Sequence, residues 1–401
     1  MNKLTQLLII AGIVSVPLQA MADGTAPAAA PSAPTLTDVL GASGVSLTGY
    51  FDVAYNSMNS TGLFTSNNGT PTPANTSAVG GAPYNSHIFD TPGATPGKDY
   101  SAFNMQQFAV IIAKQPKEGF GGLVNLTAGQ DAATVASQGL GAAAGASHSF
   151  DLTQAYGSYA TGPLTVIGGK FVTLAGAELI TSPLNSNYTR AWMFGWGPYT
   201  HTGVRATYAA SDMITLIAGV NNGFDQVNSQ TGGKTAEFGL DITPNSMFSL
   251  ANTYYQGKGM IFGATGTGKY FDSVGTFNAT SKLNFVADYA NASQDGATLA
   301  NGLVGLAKWH SLALYANYHF NDMWRISYRN ENFDDPNGFR SGIAQRLRSN
   351  TLTLGFAPTK AVELRGEIRQ DKSSDPTAFL QTNGLGKDSQ MTYAMEAIYQ
   401  F

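Results

Sequence analysis

The last thirteen residues of the chain, Ser389 to Phe401, read SQMTYAMEAIYQF and alternate between two kinds of side chain. Successive side chains of a β-strand point to opposite faces, so this segment predicts a strand with one apolar and one polar face. The apolar face consists of Met391, Tyr393, Met395, Ala397, Tyr399 and Phe401. The opposite face carries Gln390, Thr392, Ala394, Glu396 and Gln400, with Ile398 as its one large apolar member.

A strand of this kind that ends on an aromatic residue resembles the closing strand of bacterial outer-membrane β-barrels. The resemblance implies that Phe401 and its strand are the signal by which the barrel-assembly machinery recognises the chain. An edge strand of a soluble β-sandwich would show the same alternation. The rest of the sequence has to decide between the two.

The amino terminus predicts export. Lys3 provides a positive charge, Leu7 to Pro17 is apolar, and Ala20-Met21-Ala22 offers a small-residue cleavage site, so residues 1–22 are predicted to be a signal peptide cleaved near Ala22. This stretch is short for a membrane-spanning helix, and no other long apolar run follows it. The sequence therefore argues against a helical inner-membrane protein. Residues 23–44 are rich in Ala and Pro and are predicted to be a disordered lead-in.

The composition fits a wall between lipid and water. Charged residues make up 12% of the chain, about half the usual share in soluble domains, whereas the mean hydropathy is near zero. There is no cysteine, which excludes a lipoprotein anchor, disulfides and thiolate metal sites. The net charge of −4 becomes about −5 without Lys3. A mildly acidic chain lacks the basic surface that a nucleic-acid-binding protein needs.

Residues 45–401 repeat one unit of two alternating strands, a tight turn and a longer polar loop. We predict an all-β, antiparallel transmembrane β-barrel of about sixteen strands, with fourteen and eighteen as alternatives, short periplasmic turns and long extracellular loops. The predicted strands are Val45–Asn56, Ala102–Lys114, Phe120–Gln130, Phe150–Thr161, Leu164–Val172, His201–Ala210, Met213–Gly223, Thr235–Thr243, Met247–Gln256, Tyr270–Thr280, Lys282–Ala292, Lys308–Phe320, Met323–Phe333, Arg346–Ala357, Ala361–Asp371 and Gln390–Phe401.

Energetics assign the two faces of the wall. In the fifteenth predicted strand, Leu364 and Ile368 alternate with Arg365, Glu367 and Arg369. An arginine that faces lipid near the midplane costs about 2–4 kcal/mol. The charged side chains are therefore predicted to point inward, into a lumen that holds water.

The segment Thr173–Thr200 is the best candidate for a functional element. It is the third long loop, it is less polar than the others, and it holds Glu178, Arg190, Trp192, Phe194, Trp196 and Tyr199. Aromatic residues serve no folding purpose in a loop that extends outward, so we predict that the segment folds into the lumen and constricts the pore. The alternative is that these aromatics form a lid at the outer rim or part of the upper aromatic girdle.

The run from Gly168 to Tyr208 resembles the beta-barrel porin-2, OmpL-like family. In that family a loop with a proline and asparagines leads to an aromatic–glycine–proline stretch and then to a strand that reads TGxR. The resemblance also covers Leu47 to Asp52 and the layout of the chain. It implies an outer-membrane pore for small solutes. The matching positions are Pro183, Asn185, Asn187, Arg190, Phe194, Gly197, Pro198, His201, Thr202, Gly203 and Arg205.

Charged side chains are expected to line the lumen. Basic residues opposite an acidic loop would set a field across the pore and sort solutes by charge. Because Arg and Glu are nearly balanced, the alternative is a set of neutralising ladders that hold the strands in register. The residues concerned are Lys170, Arg205, Arg325, Arg329, Glu331, Glu363, Arg365, Glu367 and Arg369.

The sequence thus predicts passive diffusion of small hydrophilic solutes, with no catalysis, cofactor or metal. Expected partners are outer-membrane lipid and lipopolysaccharide, and a chain of this size is compatible with a homotrimer. Arg346 and Arg348 lie near the outer end of their strand, where they could attract anions, bind lipopolysaccharide phosphates or be solvated. Two other functions stay open: an adhesin or structural barrel that acts through Ser57–Ser101, and a barrel hydrolase with His201 and His310 near the rim.

Overall fold

The computed structural model describes residues 36–59, 100–140, 150–229, 231–261, 263–380 and 385–401. The predicted signal peptide, most of the predicted lead-in and most of the loop Ser57–Ser101 lie outside the described residues. None of the helices in these ranges is long and apolar enough to cross a membrane.

Sixteen long antiparallel strands form one closed barrel, which confirms the predicted architecture. The barrel closes between the first and the last long strand, where Tyr50 pairs with Gln400 and Met58 with Thr392. The strands are β1 (Ser46–Met58), β2 (Tyr100–Lys114), β3 (Gly119–Ala128), β4 (Phe150–Thr161), β5 (Leu164–Val172), β6 (Thr200–Ala209), β7 (Ile214–Asn221), β8 (Thr235–Ile242), β9 (Phe248–Lys258), β10 (Thr267–Asn278), β11 (Leu283–Thr298), β12 (Val304–His319), β13 (Trp324–Asp335), β14 (Gln345–Thr359), β15 (Val362–Ser373), the two-residue strands β16 (Phe379–Leu380) and β17 (Gly386–Lys387), which pair with each other, and β18 (Ser389–Gln400).

The boundaries of β4 and β5 are the predicted ones, and the largest differences are in β11 and β12. β11 was predicted to end at Ala292 but continues to Thr298, where it pairs with Val304 of β12. The side chains beyond Ala292 are polar or small, so the alternation used for prediction fades there. Backbone pairing continues past the apolar part of the wall because it does not depend on hydrophobic side chains.

Short helices lie between or before the strands: α1 (Leu36–Ser43), α2 (Gln130–Val135), a 3-10 turn at Ser182–Leu184, and α3 (Trp192–Trp196). α1 corrects the predicted lead-in, because its residues were expected to be disordered. The Ala/Pro-rich composition ends at Pro34, and Leu36, Val39 and Leu40 follow with helical spacing.

Connections differ in length at the two ends of the barrel. One end has connections of two to five residues, at 115–118, 162–163, 210–213, 243–247, 279–282, 320–323 and 360–361. The other end has the longer connections, at 59–99, 129–149, 173–199, 222–234, 259–266, 336–344 and 374–388, together with one short loop at 299–303. In outer-membrane barrels the long loops are extracellular.

The burial pattern agrees with the predicted faces. On β15, Leu364 and Ile368 are exposed on the outside of the barrel, whereas Arg365 and Arg369 are buried inside it. On β18, Tyr393, Met395 and Tyr399 are exposed, as is Phe401 directly after the strand, and Glu396 and Ile398 are buried. Between their ends, these two strands therefore present apolar side chains outward and charged side chains inward.

Candidate functional site

The connection between β5 and β6, residues 173–199, is buried along most of its length. Tyr188 is 0% exposed, and Trp196 and Tyr199 are each 1% exposed, although all three lie in a connecting segment rather than in a strand. The ends of the segment lie together, since the Thr173 amide donates a hydrogen bond to the Tyr199 carbonyl at 2.9 Å. We call residues 173–200, which are this connection and the first residue of β6, the β5–β6 segment.

Carboxylates of the inward wall accept hydrogen bonds from backbone amides of this segment. On β10, Asp272 accepts from the Gly176 amide at 2.7 Å. On β11, Asp288 accepts from the Ala177 amide at 2.5 Å. Backbone N–H groups outside regular structure need such partners when they are buried. These two acids supply them at the start of the segment.

Two glutamates do the same for the second half of the β5–β6 segment. Glu331 of β13 accepts from the Trp192 and Met193 amides, both at 2.7 Å, and so satisfies the free amides at the start of α3. Glu367 of β15 accepts from the Tyr188 amide at 2.6 Å and the Thr189 amide at 2.9 Å. Each carboxylate therefore holds two consecutive peptide groups.

Wall arginines bind the carbonyl groups of the same segment. Arg329 donates to the Thr189 carbonyl at 2.5 Å, and Arg369 donates to the Arg190 carbonyl at 2.7 Å. Arg325 donates to the Ser186 carbonyl at 2.6 Å, and Arg365 makes a longer contact of 3.4 Å with the Ser182 carbonyl. Arg340, in the β13–β14 loop, donates to the Trp196 carbonyl at 2.7 Å.

Every basic residue predicted to line the wall also contacts a carboxylate. Glu178, the acid of the β5–β6 segment, lies 2.6 Å from Arg329. Each cation of the wall is therefore paired with an acid, on the same strand, on another strand or in the β5–β6 segment. The other pairs are Lys170–Asp151 at 3.3 Å, Arg205–Glu237, Arg325–Glu363 at 2.5 Å, Arg365–Glu363 at 2.8 Å, Arg365–Glu396 at 3.1 Å and Arg369–Asp371 at 2.9 Å.

Arg190 organises the segment from within. Its guanidinium is 1% exposed and donates to the carbonyls of Leu179, Asn187 and Tyr188 at 3.2, 3.3 and 2.8 Å. These residues lie on both sides of the 3-10 turn. Arg190 therefore joins the parts of the segment before and after the 3-10 turn by binding their backbone carbonyls.

The predicted aromatic residues divide into two groups. Trp192 and Trp196 stack with their ring centroids 5.2 Å apart, and Trp196 also packs on Phe333 of β13 at 4.6 Å. Phe194 and Tyr199 contact each other with their ring centroids 5.4 Å apart. They belong to a second cluster, which includes Val135 of α2. All four segment aromatics are buried, whereas residues of a membrane girdle would face lipid.

Asp225, in the β7–β8 loop, fixes the carboxyl end of the segment. One of its carboxylate oxygens accepts from the Tyr199 amide at 3.0 Å and the Thr200 amide at 2.8 Å. Burial raises the pKa of Asp225 to about 7. The residue also has a backbone φ of 53°, which is uncommon for a residue other than glycine.

The pKa of Asp225 predicts a pH effect on stability. Because the folded-state pKa lies above the ordinary value of 3.8, the folded protein binds more protons between these two values, and stability rises as pH falls through about 7. We expect the wild type to gain resistance to thermal unfolding from about pH 8 to about pH 5, relative to D225N. Unfolding is measured as the loss of the compact, folded-barrel band on gels of samples that are not boiled before loading. An identical pH response of both proteins would contradict the assignment.

The two histidines of the hydrolase hypothesis are not brought together. His201 is 0% exposed inside the barrel, where its ring stacks on Tyr255 and lies 3.0 Å from the Gly223 carbonyl oxygen. His310 is on the outward face of β12 and lies 3.9 Å from Asp334. Because the barrel wall separates them, they do not form one catalytic group.

Sequence reasoning missed several residues that hold the segment. Asp272, Asp288, Asp225 and Arg340 were not selected, and Glu331 was noted only as a neutralising neighbour of the arginines. For two of them the sequence offers a signal. Asp272 on β10 and Asp288 on β11 fall on the inward face of their strands, and neither has a basic residue on that face of its own strand.

Several cavities border the β5–β6 segment, among them the following two. One of about 320 Å³ has a mixed lining, in which the polar side chains include Asn185, Asn187, Asn278, Asn284 and Asn317. A smaller cavity, of about 70 Å³, has a mainly apolar lining on the side of β2 and β3. Glu178 and Leu184 border both cavities, so the segment separates them.

Comparison with known proteins gives a family and a fold. Residues 45–401 match the family described as beta-barrel porin-2, OmpL-like. No curated protein matches the sequence.

Solved structures that are similar to this chain at low identity include the following three. The outer-membrane channel DcaP of Acinetobacter baumannii has 13% identity and a TM-score of 0.57, over 89% of this chain and 97% of that one. An anion-selective porin from Comamonas acidovorans has 11% identity and a TM-score of 0.58, over 89% and 99%. OmpT of Vibrio cholerae in its trimer form has 10% identity and a TM-score of 0.54, over 89% and 99%. At these identities the similarity shows the fold.

Proposed function

The chain belongs to the beta-barrel porin-2, OmpL-like family, an outer-membrane porin family, and we propose that it is a channel for passive diffusion of small hydrophilic solutes. In this proposal the β5–β6 segment folds into the lumen and narrows it. A barrel of sixteen strands is wide enough to leave an aqueous channel, so such a narrowing would set the size of the solutes that pass.

The observation that carries the proposal is the set of wall carboxylates and arginines that bind the backbone of the segment. These contacts come from β10, β11, β13 and β15, and Tyr188 also receives a hydrogen bond from Gln106 of β2 at 2.9 Å. β2 and β11 stand on different sides of the closed barrel, separated by many strands in either direction. A lid at the outer rim would not need partners from both sides of the inner wall.

The polar part of the lining of the larger cavity supports neutral hydrophilic solutes as the class that passes, since its one charged residue, Glu178, is paired with Arg329. Asparagine, serine and threonine side chains supply donors and acceptors without a net charge, as Asn278, Asn284, Ser249 and Thr276 do here. The pairing of wall charges points the same way. A pair that is already neutral adds little to the field that a passing ion meets.

The ion pair between Arg365 and Glu396 allows a test of charge selection. Both side chains are 0% exposed, so R365Q alone leaves an uncompensated carboxylate and is expected to shift the reversal potential toward cation preference. R365Q/E396Q removes both charges and is expected to restore the wild-type value, because Glu363 keeps its partner Arg325. The measurement is the reversal potential of single channels under a KCl gradient. If the double variant shifts as far as R365Q, Arg365 acts as an individual anion-selecting charge.

We also propose that β18 is recognised by the barrel-assembly machinery and that three copies assemble. Phe401 is 49% exposed on the outward face, and its amide donates to the Gly49 carbonyl at 2.9 Å, so β18 provides the last edge to be paired. The trimer form of OmpT supports the homotrimer. The adhesin hypothesis depends on the loop Ser57–Ser101, of which residues 60–99 lie outside the described residues.

A further inference from the structure

The outward face of the barrel carries a group of cations near the long-loop end of β12, β14 and β15. We call Lys308, Arg346, Arg348 and Lys372 the basic patch. All four are exposed and alternate along their strands with buried, inward-facing residues. The patch is therefore on the lipid side of the wall, outside the lumen.

Two of these cations stand directly opposite each other. In the pairing of β14 with β15, Arg348 is the partner of Lys372. Side chains at opposite positions on one face have Cβ atoms about 5 Å apart, and like charges at such positions destabilise the sheet. The repulsion between Arg348 and Lys372 therefore destabilises the sheet unless an anion lies between them.

The protein itself compensates only part of this charge. Asp334 lies 2.9 Å from Arg346, and Asp388 lies 3.7 Å from Lys372, whose side chain is 65% exposed. Within the described ranges Arg348 forms no ion pair and no side-chain hydrogen bond. The two carboxylates in ion-pair contact with the patch therefore balance two of its four cations.

An apolar surface begins one residue pair farther toward the middle of the membrane, beyond the polar pair Asn350 and Gln370. Leu352 and Leu354 follow Arg348 on the same face of β14 and are 46% and 45% exposed. Ile368 and Leu364 lie in the same direction from Lys372 on β15 and are 49% and 44% exposed. Cations at the polar boundary above exposed aliphatic side chains match a molecule with an anionic head and several acyl chains.

We propose that the basic patch binds a phosphate of lipid A, the phosphorylated glycolipid of the outer leaflet, and that the acyl chains of this lipid lie along Leu352, Leu354 and Ile368. Arg348 presents a planar fork of donors that matches phosphate oxygens, and Lys372 adds a second charge from the neighbouring strand. A bound phosphate would remove the repulsion between them. This inference is independent of whether the lumen conducts.

A free anion or a protein is a less suitable occupant. A solute anion on its way through the channel would travel inside the barrel, on the other side of the wall from Arg348. Aliphatic side chains that lipid covers in the membrane begin one residue pair below Arg348 and Lys372, so a water-soluble partner that reached them would have to displace that lipid.

The test measures the affinity of purified diphosphoryl lipid A for the delipidated, folded protein in detergent micelles. Native mass spectrometry gives the fraction of protein with lipid A bound. R348Q/K372Q is expected to weaken binding at least about tenfold relative to wild type, since it removes two charge-assisted contacts. The matched control, K282Q/K360Q, removes two exposed lysines from the short-turn end of the barrel and is expected to bind as wild type does. Fully dephosphorylated lipid A should bind wild type as weakly as diphosphoryl lipid A binds R348Q/K372Q.

Three outcomes would overturn the proposal. One is wild-type affinity of R348Q/K372Q for lipid A, and another is an equal loss in K282Q/K360Q. The third is displacement of lipid A by inorganic phosphate at comparable concentration, which would make the patch a site for free anions. Since the patch lies outside the lumen, R348Q/K372Q should keep wild-type conductance, so failure of lipid binding and failure of the channel function are distinguishable.

Discussion

Deletion of residues 174–198, with Thr173 joined to Tyr199 by a three-residue Gly-Ser-Gly linker, is expected to raise the single-channel conductance several-fold. The junction is short because the Thr173 amide already donates to the Tyr199 carbonyl at 2.9 Å, so the linker replaces the segment without moving β5 or β6. A sixteen-stranded barrel without this segment has a wide aqueous lumen. The deletion removes one acid, Glu178, and one base, Arg190, so the net charge is unchanged.

The deletion is measured as the current step in a planar bilayer at fixed salt. Insertion of the same linker into the turn at Gly162-Pro163 is the control, because it perturbs the chain at the other end of the barrel. Conductance of the deletion variant equal to that of wild type would show that the segment does not narrow the path of the ions.

Replacement of Glu331 and Glu367 together by glutamine is expected to release the segment without removing it. Each carboxylate accepts from two consecutive amides: those of Trp192 and Met193 for Glu331, and those of Tyr188 and Thr189 for Glu367. A glutamine has one acceptor oxygen and presents its NH₂ group on the other side, so one amide in each pair loses its partner. An unsatisfied buried donor costs about 1–3 kcal/mol, and two such losses are large for a single connecting segment.

The expected result for E331Q/E367Q is a noisy open channel with frequent transitions and a larger mean conductance than wild type. D322N is the matched control, because Asp322 is exposed in the short turn between β12 and β13 and carries the same kind of change. Both proteins must show the compact, heat-modifiable band of a folded barrel. A current as quiet and as small as that of wild type would mean that the two glutamates do not hold the segment in place.

The wall of the barrel could be predicted from the sequence because it depends on a local property. Alternation along β15 separates Leu364 and Ile368 from Arg365 and Arg369, and the cost of placing an arginine in lipid decides which face is inward. The same reasoning applies to β18 and its terminal Phe401. Both arguments use neighbours in the sequence alone.

The contacts of the β5–β6 segment could not be predicted in this way. Parity shows that Glu331 faces inward, but it gives neither its height in the barrel nor the peptide group that it meets. The Glu331 contact joins residues 139 positions apart, and the Glu367 contact with Tyr188 joins residues 179 apart. Such pairs are set by the stagger of all sixteen strands together.

Single-channel recording of the purified, refolded protein in a planar bilayer under a salt gradient tests the central claim most directly. We predict stable, discrete current steps, with a reversal potential that indicates weak charge preference. A protein that shows the compact band of a folded barrel but never carries current would contradict the proposed channel.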